Sequence, residues 1–532
     1  MLATLLSATL HGLTGRVVRV EVDVAPGLPG FTIVGLPDAA LSEARERVRG
    51  AIRNSGFVHP PRRITVNLAP AELRKAGASL DLAIALGILL GSDQLVAGRG
   101  RPGVIGELSL GGEVRPVPGI LPMVLGLARR GVSRVIVPGS AYEEARLAPG
   151  IEPVPVDTLA EAADVLRSPR SRRARPRTAP RIELAEPSAA PTDGRPGAGT
   201  SAIRISWDTA ARVPDLAEVR GQAEARRALE IALAGDHALL LIGPPGAGKT
   251  LLARTVPGLL PDLPEDAALA ATVVASVASD VPLRALVRRP PVRAPHHTTS
   301  YAGMVGGGPR LSPGEVTLAD QGVLVLDELP EFGRDVLEAL RQPLEEGRVA
   351  VVRVGRAETF PARFTLIAAM NPCPCGYDMS GHRACSCPPG VPERYRRRVS
   401  GPLRDRIDLW VAVDRLAPAD LVRAAAPEGT AAVGARIRTA RARQQGRPWA
   451  VPNGRLAGIA LRTACRLDAD GQRRAVELAD LDGLSGRGTE RLLRVARTIA
   501  DLAGAEAVRP EHLAEAARFR APVDRSGLRA AG

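Results

Sequence analysis

Residues 239–256 read LLLIGPPGAGKTLLARTV. The apolar run Ala238–Ile242 enters a loop made of Gly243, Pro244, Pro245, Gly246, Ala247, Gly248, Lys249 and Thr250, and a helix-forming stretch follows. This is the phosphate-loop spacing, a Gly, four residues, then Gly-Lys-Ser/Thr, in the strand–loop–helix setting that gives the spacing its meaning. Glycines let backbone amides approach phosphate oxygens, and the helix N-terminus adds a favourable partial charge. Lys249 is placed to reach the β- and γ-phosphates of ATP as a compact point charge, a role that planar Arg fills poorly. Thr250 is placed to ligate Mg2+. The chain has two lysines, Lys75 and Lys249, among 71 basic residues. A chain that uses Arg almost everywhere and Lys in this loop points to a use for an ammonium here. A glycine-rich turn without a ligand is the competing reading, and the flanking strand and helix argue against it.

Three further strand ends carry polar groups. GVLVLDELPEF (322–332) ends an apolar run in Asp327 and Glu328. In nucleotide hydrolases one such carboxylate holds Mg2+ and its neighbour polarises the attacking water. FTLIAAMNP (364–372) ends in Asn371, an amide able to orient that water. VSGPLRDRIDLWV (399–411) presents Arg406, which either stabilises transition-state charge at a neighbouring γ-phosphate or forms a surface pair with Asp405 or Asp408.

The combination of VGLPDAALSEARERVRGAI, GPPGAGKT, PHHTTSYAGMVGGGPRLSPGEVTLADQGVLVLDELPEF, MNPCPCG, SGPLRDRIDL and LSGRGTERLLRVARTIADL resembles the ComM/YifB family of magnesium-chelatase-like AAA+ ATPases, nearly end to end. The resemblance implies an α/β phosphate-loop core of parallel sheet and flanking helices with a C-terminal helical lid. It implies a homo-oligomeric ring, a hexamer, with ATP at subunit interfaces. Lys249 and Thr250 then correspond to Walker A, Asp327 and Glu328 to Walker B, and Asn371 to sensor 1. Arg406 corresponds to the finger acting in trans, and Arg487, with Arg491 as the alternative, to sensor 2. It implies DNA, single-stranded or branched, as partner, with helicase or branch-migration activity on incoming DNA in natural transformation. The alternative is a chelatase-type ATPase that remodels a protein partner or assists metal insertion.

Composition sets bounds on this. At 532 residues the chain is long enough for several domains. Aromatic residues are 2%, so a base-stacking surface is not expected. The net charge of +14 suits an anionic partner. Part of it falls on Arg167, Arg170, Arg172, Arg173, Arg175, Arg177 and Arg181, in a Pro-, Ser- and Arg-rich stretch that reads as a solvated linker. The expected organisation is an α+β domain over 1–165, a disordered basic linker over 166–205, the ATPase core over 206–412, a helical lid over 413–521 and a tail over 522–532. No apolar run reaches 18 residues and the N-terminal stretch lacks a leader pattern, so a cytoplasmic protein without membrane association is expected.

KAGASLDLAIALGILLGSDQL and GELSLGGEVRPVPGILPMVLGLARRGVSRVIVP resemble the Lon protease catalytic domain, a ribosomal S5 domain 2-like fold. Ser79 falls at the nucleophile position, yet no lysine occurs near Leu121 or Met123. Lys75 does not match the motif position. A serine without a base is inert, so a non-proteolytic Lon-like domain is expected, with Ser79 as a helix-start residue. Cys373, Cys375, Cys385 and Cys387 pair as C-x-C twice, with His382 between. Two readings stand level: a structural Zn2+ site, or reduced thiols in a loop. His296 and His297 read as hydrogen-bonded loop residues. The hairpin GRVAVVRVGRAETFPARFTLI carries Arg353 and Arg356 near its tip, and YAGMVGGGPRLSPGEVTL reads as a flexible insert. In a ring both can face the pore, where basic tips follow DNA phosphates; exposed arginines on a plain surface hairpin are the competing reading.

Overall fold

The computed structural model describes residues 1–36, 39–73, 75, 77–98, 100, 102–167, 212–308, 311–353, 356–378, 383–416, 427–481 and 483–520. Most of the expected linker (168–205), His382, residues 417–426 of the expected lid and the tail 522–532 lie outside the described residues, as do the side chains of Arg353 and Arg356. The chain forms two compact units, Met1–Ile203 with Thr272–Leu286, and Arg204–Ala271 with Val287–Gly532.

The first unit is α+β. Its sheet, among the described residues, runs in the order 30–34, 63–69, 14–25, 2–11, 103–104, 134–138, 152–156. Strands Leu2–His11 and Thr14–Ala25 form a long antiparallel hairpin whose two-residue turn, Gly12-Leu13, has Gly12 at φ 57°. Val18, Val20, Val22 and Val24 alternate inward, which is why RVVRVEVDV reads as a strand. Helix Asp81–Gly91 is buried along almost its whole length, and Gly87 allows it to approach Val22: a Cβ there would stand 2.5 Å from Val22 Cγ2.

Ser79 and Lys75 are both consumed by backbone carbonyls. Ser79 Oγ donates to Ala8 O at 3.0 Å, and Lys75 Nζ donates to Gly35 O at 2.9 Å and to Pro70 O. Ser79 therefore ties the turn to the first strand. It does not cap the helix, whose N-cap position is Leu80 with no side-chain cap. The Ser–Lys arrangement that a protease needs is not formed by these contacts.

Among the described residues, the second unit carries a five-stranded parallel sheet in the order 292–293, 323–326, 365–370, 239–242, 409–412. The central strands are buried and near-continuously apolar, as parallel strands covered on both faces must be. Their carboxyl ends deliver Gly243, Asp327 and Asn371 to one edge, where open α/β sheets bind ligands. Helices Thr430–Gln445 and Gly486–Leu502 pack against helix Ala223–Gly235. Helix Gly458–Cys465, within the expected helical lid, is short and begins at a glycine.

A buried polar network joins sheet and helices. His237 Nδ1 lies 3.2 Å from Asp408 Oδ2, and its Nε2 lies 2.8 Å from Thr498 Oγ1. Asn453 Nδ2 donates to Thr498 and to Asp501. Arg497, fully buried, donates to Asp501 Oδ1 at 2.9 Å and to the carbonyls of Ala464, Ala505 and Glu506. Removing one partner of a buried ion pair costs about 3–5 kcal/mol. Arg447 also donates to Asp501 and would remain, so Arg497→Ala is expected to cost about 3 kcal/mol, at the lower end of that range. Calorimetry should show a lowered melting transition for this unit, while exposed Arg473→Ala melts with the parent. Coincident melting of Arg497→Ala and the parent would remove the network from the list of supports.

Candidate phosphate-binding site

The loop after strand Leu239–Ile242 closes around a cavity of about 360 Å³ lined by Pro245–Leu251, Asp327, Glu328 and Asn371. Gly246 and Gly248 take φ 78° and 91°, left-handed conformations that glycine adopts freely. Gly243 is required for a different reason: a Cβ there would lie 2.0 Å from Val413 O on the neighbouring strand's extension.

Lys249 opens helix Lys249–Arg254 and points back into the loop. Its Nζ donates to Gly243 O at 2.7 Å, to Pro244 O at 2.9 Å and to Asn371 Oδ1 at 3.2 Å. Burial pushes its pKa down, against the pull of Asp327 and Glu328. Thr250 Oγ1 donates to Asp327 Oδ2 at 2.6 Å. The structure thus brings Lys249, Thr250, Asp327, Glu328 and Asn371, from three strand ends, to one cavity. A hydroxyl and a carboxylate in contact form an all-oxygen donor set, which suits Mg2+.

Glu328 adopts φ 53°, rare for a residue with a side chain. Its amide donates to Asp327 Oδ1 at 2.9 Å and its carbonyl accepts from Glu331 at 2.8 Å, which holds the strained turn. Its Oε2 lies 3.2 Å from His297 Nδ1. The centroids of the two histidine rings lie 4.0 Å apart with the rings tilted by 36°, and His296 Nδ1 lies 2.9 Å from Thr298 Oγ1. The reading of hydrogen-bonded loop residues describes His296. His297 also meets a partner, the Glu328 carboxylate, which the reading did not name. The only signal in the chain was the position of PHHTTS within a motif-rich stretch, because nothing in local spacing links residue 297 to residue 328.

Arg406, Arg487 and Arg491 are not among the residues lining the cavity beside Lys249. Arg406 donates to Pro402 O at 2.7 Å and to Glu345, and Arg487 Nη2 lies 3.9 Å from the same Glu345 carboxylate. Arg491 reaches the Asp405 carbonyl and lies 3.8 Å from its carboxylate. The surface pairing considered for Arg406 with Asp405 or Asp408 is therefore replaced by Glu345, while Asp405 faces Arg491 and Asp408 faces His237.

Strands Arg348–Arg353 and Arg356–Pro361 form the expected hairpin, with Arg353 opposite Arg356 at its end. The expected insert comprises helix Tyr301–Val305, a two-residue ladder pairing Gly306–Gly307 with Ser312–Pro313, and helix Glu315–Leu318. The four clustered cysteines bring their Sγ atoms within 4.8 Å of one another. Among the described residues no helix is long and apolar enough to cross a membrane.

Three family models match in succession: subunit ChlI of Mg-chelatase over residues 20–141, magnesium chelatase subunit ChlI over 215–421, and its C-terminal part over 427–520. The chain is 40% identical to YifB of Escherichia coli over 516 residues, covering 97% of this chain and 96% of that protein. It is 38% identical to the competence protein ComM of Haemophilus influenzae over 525 residues, 98% of each. A shorter likeness, 30% over 146 residues, covers 27% of this chain and 14% of the DNA replication licensing factor Mcm2 of Drosophila melanogaster.

Proposed function

The chain belongs to the magnesium-chelatase-like family that includes YifB and ComM, and from that premise we propose that it is a ring-forming ATPase motor that works on DNA. The observation that carries the ATPase reading is the cavity itself, where Lys249 contacts Asn371 and Thr250 contacts Asp327. In this reading the loop amides and Lys249 bind the triphosphate, and Glu328 takes the proton of the attacking water. Asn371, held by Lys249, orients that water. Thr250 and Asp327 would hold Mg2+, whose contribution when bound is charge neutralisation at the β- and γ-phosphate oxygens.

Arg406 and Arg487 share Glu345 and stand outside the cavity lining. That placement supports a role for both at the nucleotide of an adjacent subunit in a hexameric ring. DNA as the partner is supported by the net charge of +14 and by the names of the ComM and Mcm2 relatives, which refer to competence and to DNA replication. Strand separation or branch migration of incoming DNA is the activity this reading assigns. The hairpin end carrying Arg353 and Arg356 is its candidate contact with phosphates.

The test is the ATPase rate of the purified chain alone and with single-stranded, duplex and forked DNA, with Lys249→Ala as the blank. The expected result is a rate that rises with DNA and vanishes in the variant. A Lys249-dependent rate indifferent to every DNA would sink the DNA motor and favour remodelling of a protein partner. No Lys249-dependent rate at all would leave a nucleotide-gated scaffold.

A further inference from the structure

Four of the five cysteines converge immediately after Asn371. Cys373 Sγ lies 3.3 Å from Cys375 Sγ and 3.7 Å from Cys385 Sγ, and Cys375 lies 3.5 Å from Cys385. With Cys387 included, all four sulfurs fall within 4.8 Å of one another. These separations far exceed a disulfide bond of about 2.05 Å. They match the edges of a tetrahedron of sulfurs around Zn2+, about 3.8 Å for Zn–S bonds of about 2.3 Å.

The backbone is arranged for thiolates. The amide of Asp378 donates to Cys373 Sγ at 3.2 Å. Amides of Tyr377 and Ser386 donate to Cys375, that of Cys387 to Cys385 and that of Cys375 to Cys387. The cluster also touches the phosphate loop. Gly376, at φ 87°, packs so closely on Pro245 that a Cβ would lie 2.5 Å from Pro245 Cδ. Arg396 donates to Asp378 and to Pro372 O, holding the same loop from the other side.

We propose that Cys373, Cys375, Cys385 and Cys387 bind one Zn2+ as a structural tetrathiolate that clamps the loop leaving Asn371 onto Pro245 of the phosphate loop. Each sulfur forms one bond to the metal and any thiol proton it carried passes to solvent, so no oxidant or reductant is involved. Four protein ligands close the coordination sphere, which makes the site structural and leaves no position for a substrate. The consequence is mechanical. Asn371 and the phosphate loop are held as one piece, although 120 residues of sequence separate them.

The test does not depend on ATP turnover. The full chain, purified under reducing conditions, should contain one zinc per chain by elemental mass spectrometry. A mercurial that titrates the thiols should release it. Apoprotein given Co2+ should develop the visible spectrum of a tetrahedral tetrathiolate, a readout that needs no variant to fold. Cys385→Ser with Cys387→Ser should lose the metal and speed amide exchange of the Asn371 loop and the Pro245 turn. A metal-free chain whose four thiols react freely and give no tetrathiolate cobalt spectrum would overturn the proposal. So would disulfides within the cluster in protein prepared under reducing conditions, or metal loss that leaves exchange of the Pro245 turn unchanged, which would remove the clamp.

Discussion

Glu328→Gln is expected to bind ATP as tightly as the parent and to hydrolyse it about 10²–10⁴-fold more slowly, the usual contribution of a positioned general base. In free energy that is about 3–5 kcal/mol of lost transition-state stabilisation, at 1.36 kcal/mol for each factor of ten. The substitution keeps the shape and the amide oxygen that can still face His297 Nδ1, now 3.2 Å from Glu328 Oε2. It removes only the capacity to accept a proton. Glu328 does not bond to Lys249, whose contacts are Gly243, Pro244 and Asn371, so the phosphate-binding contacts should persist. Measurement of fluorescent-nucleotide affinity beside single-turnover hydrolysis separates the two effects. Equal losses in affinity and turnover would show that Glu328 shapes the pocket and does not act on water.

Arg406→Ala is expected to lower turnover by about 10³–10⁵-fold, as removal of an arginine finger does, although Arg406 is absent from the lining of its own subunit's cavity. The decisive measurement mixes Arg406→Ala with Lys249→Ala. Each is inactive alone. In a ring built on head-to-tail interfaces, random assembly puts an intact Lys249 next to an intact Arg406 at roughly a quarter of interfaces, and activity should return in that proportion. A finger acting within its own subunit predicts no recovery, since no chain in the mixture carries both residues. Arg487→Ala belongs in the same series, because both arginines lie against Glu345.

Much of the site is legible along the chain because phosphate chemistry is local. A loop that cradles phosphate must come from one strand, one turn and one helix, so its residues stay contiguous and their spacing survives as a pattern. The acids and the amide at 327, 328 and 371 are legible for a related reason: each ends a run of buried β-branched and aliphatic residues, and parallel strands place their carboxyl ends together. The hairpin 348–361 and helix 39–54 follow from period two and period 3.6 respectively.

Other features have no local signature. Strand Leu2–His11 mixes Thr, Ser and Ala with Leu, and it becomes a strand by pairing along its full length with Thr14–Ala25. Ser79 resembles a nucleophile by position and turns out to hold Ala8, because the partner carbonyl comes from 71 residues away. Arg406 lies between two aspartates in sequence and chooses Glu345, 61 residues earlier.

The amino-acid sequence by itself determined the phosphate loop, the two carboxylates and the asparagine that accompany it, because their chemistry is carried by contiguous residues at strand ends. Only the tertiary structure decided that His297 faces Glu328, that Arg406 and Arg487 share one carboxylate outside the cavity, that Arg497 is buried on Asp501, and that four thiols gather within 4.8 Å of one another in a loop whose Gly376 packs on Pro245. Apart from the Arg497–Asp501 pair, those relations join groups ten to sixty or more residues apart or set them against a third segment. Chain folding, with its exchange of conformational entropy for burial, is what brings such groups within hydrogen-bonding or metal-binding distance.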